Sequence, residues 1–164
     1  MRTKIFFLLA LTGLFAFGIT VQTSMANLKP RATKSIVWQS DLREAQQVAQ
    51  KTGRPILVFF SADWCTHCDR FKENTLHNAT MADYINRDFV AVQLDFDKEQ
   101  KVAEVLEVEA LPSTVIISPE ADLLGRVVGA KPPKELWDAL QGAKDEQIRI
   151  RQARFAAGEA SVRQ

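Results

Sequence analysis

The chain has 164 residues, room for one domain with a leader and a tail. Hydrophobic residues make up 46% of it and charged residues 25%, which is enough apolar material for a core and excludes a disordered chain. The formal net charge is +1, or −1 without Arg2 and Lys4, so no electrostatic footprint for nucleic acid is present and no nucleic-acid partner is expected.

Residues 1–26 carry the pattern of a signal peptide. Arg2 and Lys4 give a positive start, Ile5 to Ile19 is nearly unbroken apolar, and Ser24-Met25-Ala26 puts small residues where a signal peptidase reads. Cleavage after Ala26 is expected. The alternative is an uncleaved N-terminal membrane anchor, although the apolar run falls short of the ~20 residues that span a bilayer. Either way the domain is expected outside the cytoplasm, most simply in a periplasm, with membrane contact only if the leader stays. Residues 27–34, with Pro30, read as a linker.

The domain is expected over 35–144. Ser40 is placed to cap a helix in which Leu42, Ala45, Val48 and Ala49 recur at helical spacing, and Gly53 suits its end. Ile56 to Phe60 is a short apolar run, rich in β-branched and aromatic residues, that reads as a strand buried on both faces. Cys68 to Leu76 reads as helix with Phe71 toward the core, and Asn78 caps a second helix carrying Met81, Tyr84 and Ile85. Phe89 to Leu94 is a strand; Lys98 to Glu107 is a helix with Val102, Val105 and Leu106 on its apolar side. Ser113 to Ser118 and Leu123 to Val128 pair through a turn at Pro119 to Asp122. A helix after Pro132-Pro133 buries Leu136, Trp137 and Leu140. This order predicts an α/β fold, a central mixed sheet with helices on both faces. The polar residues 145–164 read as a solvated helical extension that frays, or else as a partner-binding tail.

The two cysteines, Cys65 and Cys68, follow the first strand directly. A bridge between them closes almost no loop, so a structural staple explains them poorly and redox or metal chemistry explains them better. Disulfide exchange needs an attacking thiolate and a resolving thiol. At a helix N-terminus, unpaired N–H groups and the macrodipole favour an anion, so Cys65 is the expected thiolate, partly exposed, and Cys68 the buried resolving group. His67, between them, is placed to stabilise the thiolate and so to make the disulfide more oxidising. His77 is read as a surface residue. Pro112 lies between a helix and a strand, where an X–Pro bond in either isomer is conceivable.

Phe60-Ser61-Ala62-Asp63-Trp64-Cys65-Thr66-His67-Cys68 resembles the active-site segment of the thioredoxin superfamily, and Leu111-Pro112-Ser113-Thr114 resembles its cis-proline loop. The likeness covers about residues 35 to 143; the opening helix, followed by Arg54-Pro55, is most similar to exported thioredoxin-like proteins related to the carboxy-terminal domain of the disulfide reductase DsbD. The resemblance implies a thioredoxin fold, a redox-active Cys65–Cys68 disulfide as the sole redox group with no separate cofactor or metal, and partners that are protein thiols or disulfides together with a redox partner protein. It also implies that Leu111 and Pro112 offer backbone groups to an extended substrate and that Trp64 shields the sulfurs. Four positions depart from the family pattern. Phe59 stands where thioredoxins bury an acid, Gln93 where a lysine faces it, and Thr66-His67 where Gly-Pro separates the cysteines. Asp63 either substitutes in part for the acid or is a solvated loop residue; the redox-tuning candidates are His67, Trp64 and Asp63, and a reduction potential above thioredoxin's is expected. Two other classes remain: a Cu(I)-binding module built from Cys65, Cys68 and His67 or His77, and a non-catalytic adaptor.

Overall fold

A computed structural model describes residues 35–162; the expected leader and linker lie outside them. Five strands form one sheet in the order β1-β3-β2-β4-β5: β1 (Trp38–Gln39), β2 (Ile56–Ser61), β3 (Val90–Asp95), β4 (Ser113–Ile117) and β5 (Leu123–Val128). β1 and β2 both run parallel to β3, whereas β4 is antiparallel to β2 and to β5. The mixed sheet is the expected one. β1 adds a strand that the sequence does not announce, because two residues carry no period to read.

β2 is central, and all six of its residues are buried. Alternation sends Leu57 and Phe59 to one face and Ile56, Val58 and Phe60 to the other. The first face is covered by α2 (Thr66–Phe71), a π-helical turn at Lys72–Leu76, α3 (Ala79–Asp88) and α5 (Pro133–Val162). The second carries α1 (Leu42–Thr52) and α4 (Gln100–Val105) through Ala45, Ala49 and Ala103.

Two details of the helices differ from expectation. The cap of α1 is Asp41, whose Oδ1 accepts the Glu44 N–H at 2.8 Å. Ser40 lies one residue upstream and donates its own N–H and hydroxyl to Glu44 Oε2, at 3.0 and 2.5 Å. In α4 the buried residue is Ala103, and Val105 is 79% exposed: six residues bury a narrower stripe than a longer helix does.

α5 continues through 30 residues, and its polar part is not simply solvated. Beyond the apolar anchors Leu136 and Leu140, Gln147 Nε2 and Arg151 Nη2 donate to the Gly53 carbonyl, at 3.2 and 2.7 Å. That carbonyl sits at the left-handed C-cap of α1, where backbone oxygens lack helical partners. Arg154 pairs with Asp122 in the β4–β5 turn. Hydrogen bonds tie down this stretch, so apolar periodicity could not reveal it. Among the described residues no helix is long and apolar enough to cross a membrane.

Asp88, at the end of α3, joins that helix to α5. Its carboxylate accepts from Arg87 Nε at 2.8 Å and from Lys144 Nζ at 2.7 Å. The Arg87 hydrogen bond, with help from Lys144 and against partial burial, holds the carboxyl below its ordinary value. Such a group binds protons less readily folded than unfolded. Its contribution is full above the ordinary value near 4 and is lost as pH falls through the folded one. Asp88→Asn is therefore expected to cost about 1 kcal/mol near neutral pH, and urea unfolding of both proteins along a pH series should show the difference closing in acid.

Candidate active site

β2 and β4 are antiparallel neighbours, with Phe60 opposite Ser113 and Phe59 opposite Thr114. The chain leaving β2 and the chain entering β4 therefore meet at one end of the sheet. The first carries Trp64 to Cys68 and the second carries Leu111-Pro112, so two motifs more than forty residues apart become neighbours through strand register alone.

After Ser61 the backbone turns, with Cys65 N–H donating to the Ala62 carbonyl at 3.1 Å, and α2 begins at Thr66. Cys65 is the N-cap: its Sγ accepts the Cys68 N–H at 3.1 Å. The two sulfurs are bonded at 2.09 Å with the Cα atoms 5.2 Å apart. Cys68 is fully buried, and Cys65 keeps 5% of its surface, which is a smaller opening than expected but still the outer sulfur of the pair.

Phe59 lies in the same packed cluster as both cysteines, its ring 5.7 Å from that of Phe71. Its register partner on β3 is Gln93. The two departures from the family pattern are thus adjacent, and both are neutral. Gln93 Nε2 donates instead to Ser61 Oγ at 2.9 Å.

Leu111-Pro112 is a cis peptide, as the resemblance implies. The Pro112 carbonyl accepts the Gly129 N–H at 2.8 Å and Ser113 Oγ donates to the Ala110 carbonyl at 2.7 Å, which fixes the loop from both sides. Between this loop and the start of α2 lies an open groove of about 340 Å³, walled by Trp64, Cys65, Thr66 and His67 on one side and by Phe96, Glu109, Ala110 and Leu111 on the other.

His67 is exposed and lines this groove; Pro112 is buried behind Leu111; Asp63 is exposed and is not part of the wall. His77, also exposed, closes the π-helical turn away from the groove. Trp64 is 65% exposed, and its indole Nε1 donates to Asp97 Oδ2 at 2.7 Å. Asp97 is held in turn by its own N–H donating to Asp95 Oδ1 at 3.0 Å. Sequence reasoning singled out neither Asp97, Phe96, Glu109 nor Ala110. The only available signal for the last two was that they precede the Leu111-Pro112 pair. Among the described residues no group of three or more His, Cys, Asp or Glu side chains converges as a metal site would.

Residues 42–144 match the family described as thioredoxin-like domain. The thiol:disulfide interchange protein TxlA of Synechococcus elongatus is 30% identical over 120 residues, 71% of this chain and 61% of that protein. DsbD of Vibrio vulnificus, also a thiol:disulfide interchange protein, is 30% identical over 60 residues, 37% of this chain and 10% of that one. This chain thus spans less than two thirds of either relative. A solved thioredoxin from Thermus thermophilus is 26% identical with a TM-score of 0.60, covering 65% of this chain and 85% of that one.

The Trp64–Asp97 bond is exposed, so it orients the ring more than it stabilises the fold. Asp97→Ala is expected to shift the Trp64 indole N–H signal in a proton–nitrogen correlation spectrum and to speed its exchange with solvent. The stability measured by urea should change by less than about 1 kcal/mol.

Proposed function

The chain belongs to the thioredoxin-like domain family, and on that premise we propose that it is a thiol–disulfide oxidoreductase acting on disulfides of exported proteins. One observation carries the reading: the outer sulfur of a bridged cysteine pair caps a helix and opens into a groove walled by a cis-proline loop. The thiol:disulfide interchange proteins among its relatives support it.

In the reducing direction, the Cys65 thiolate attacks one sulfur of a substrate disulfide. A bond forms between them, the substrate bond breaks, and the released sulfur leaves as a thiolate that takes a proton. Cys68, one turn away, then loses its proton and attacks Cys65 Sγ. The Cys65–Cys68 bond closes and the second substrate sulfur leaves. Two electrons have passed from the pair to the substrate, and the bridged state seen here is the product. A dithiol partner protein must restore the reduced pair. The same steps in reverse oxidise a substrate dithiol.

Each residue's part follows from its place. The N–H that Cys65 Sγ accepts, together with the start of α2, stabilises negative charge on that sulfur. Full burial keeps Cys68 from protein substrates and leaves it only the intramolecular attack. His67 adds a polar ring beside the groove that favours the thiolate, and Leu111 presents backbone to the incoming chain. Neutral Phe59 and Gln93 stand at the two paired positions where the resemblance leads to an acid and a lysine. A pair with a favoured outer thiolate is more readily reduced, so the potential lies above the roughly −270 mV of thioredoxin. The start of the sequence, with Arg2, Lys4, the apolar run and Ser24-Met25-Ala26, supports export to a periplasm.

Cys65→Ser is expected to abolish reduction of insulin disulfides, and Cys68→Ser to accumulate a mixed disulfide visible by mass spectrometry. Normal turnover by the Cys65→Ser protein would overturn the reading.

A further inference from the structure

The groove does not end at the disulfide. Glu109 and Ala110 wall both the concavity over Cys65 and a second one of about 470 Å³, which Glu107, Arg126 and Val128 complete. Val128, half exposed on the edge strand β5, is the apolar surface at the far end. We propose that the two concavities form one track for an extended polypeptide, and that Glu109 makes the track selective for a lysine or arginine near the reacting cysteine. This inference depends on the disulfide-exchange reading of the same site.

Among the described residues only two acids wall the two concavities, Glu107 and Glu109, and the first of them is engaged, as are Asp97 and Asp95 nearby. Glu107 is paired with Arg126 at 3.1 Å, Asp97 accepts the Trp64 indole at 2.7 Å, and Asp95 is paired with Lys98 at 2.9 Å. Among the described residues Glu109 has no ion pair and no hydrogen-bonded side chain, and it is exposed at the wall shared by the two concavities. Its carboxylate is thus available to a cation that arrives with the substrate.

Hydrogen bonds hold the loop that presents it. Arg126 Nη2 donates to the Leu106 carbonyl at 2.7 Å as well as to Glu107. Val108 N–H donates to the Ala103 carbonyl at 2.8 Å, and Glu107 holds a left-handed conformation, φ 52°, that a non-glycine residue adopts only where its surroundings fix it. With the backbone held, only the Glu109 side chain remains to be ordered when it meets its partner. In an extended segment, residues two apart share a face about 7 Å apart. With the reacting cysteine at Cys65, a basic side chain two residues along lies on the same face, toward the wall that carries Glu109, and the segment continues toward Val128.

An exposed ion pair of this kind is worth a factor of about two to five at low salt and less as salt rises. The test uses the full chain, reduced with dithiothreitol and then freed of it, and three disulfide-bridged peptides that differ only in Lys, Ala or Glu two residues from one half-cystine. Second-order rates are expected to fall in the order Lys, Ala, Glu. The Lys-to-Glu ratio should collapse toward one in Glu109→Gln and in high salt, and should invert in Glu109→Lys. Glu104→Gln, on the exposed side of α4, should keep the wild-type ratio. Equal rates for the three peptides with the wild-type chain, or a ratio unchanged by Glu109→Gln, would overturn the selectivity while leaving disulfide exchange in place. The same ratio change in Glu104→Gln would show general charge rather than Glu109 at work, and also overturns it. Failure of every peptide to react would bring down the exchange reading itself and this inference with it.

Discussion

Cys65 Sγ accepts the N–H of the residue to which it is also bonded through sulfur. That dual engagement is available only at a helix start, where N–H groups lack a backbone partner and the residue before them is free of helical geometry. The position of the helix start depends in turn on β2. A strand buried along all six residues, with neighbours on both sides, has one register and one end. The outer sulfur is therefore fixed by the most deeply packed element of the fold.

The opposite wall is fixed by the same strand. Because β4 is antiparallel to β2, the residues just before it arrive beside the residues just after β2. The cis-proline loop is then fastened by Gly129 on β5 and by Ser113, and Trp64 is steered by Asp97 from the β3–α4 connection. Parts from four segments of chain meet over one disulfide, yet each is placed by backbone pairing or by a single polar contact. At the far end of the sheet, α5 closes the structure by giving Gln147 and Arg151 to the cap of α1.

Much of this was legible in the sequence because local signals agreed with the fold. The apolar run of β2, the Asn78 cap of α3 and the β4–β5 hairpin each carry a strong period or a turn signature, and the cysteine spacing told its own chemistry. What escaped has a common physical cause. The two residues of β1 are a strand only because β3 lies beside them. Asp41 rather than Ser40 caps α1 because Glu44 engages both, a choice that composition does not settle. Asp97 and Glu109 join the site through loops, where no period exists. The polar run of α5 reads as solvent-facing until the Gly53 carbonyl it serves is brought near.

On the proposed reading Cys65 and Cys68 are a working couple rather than a staple, and the capped outer sulfur, with neutral Phe59 and Gln93 paired nearby, supports a raised potential. Equilibration of the pair against a glutathione series, with the reduced fraction trapped by alkylation and counted by mass spectrometry, measures that directly. A single two-electron transition between about −270 and −120 mV is the predicted result, and a potential below about −300 mV, the range of structural disulfides, would contradict it.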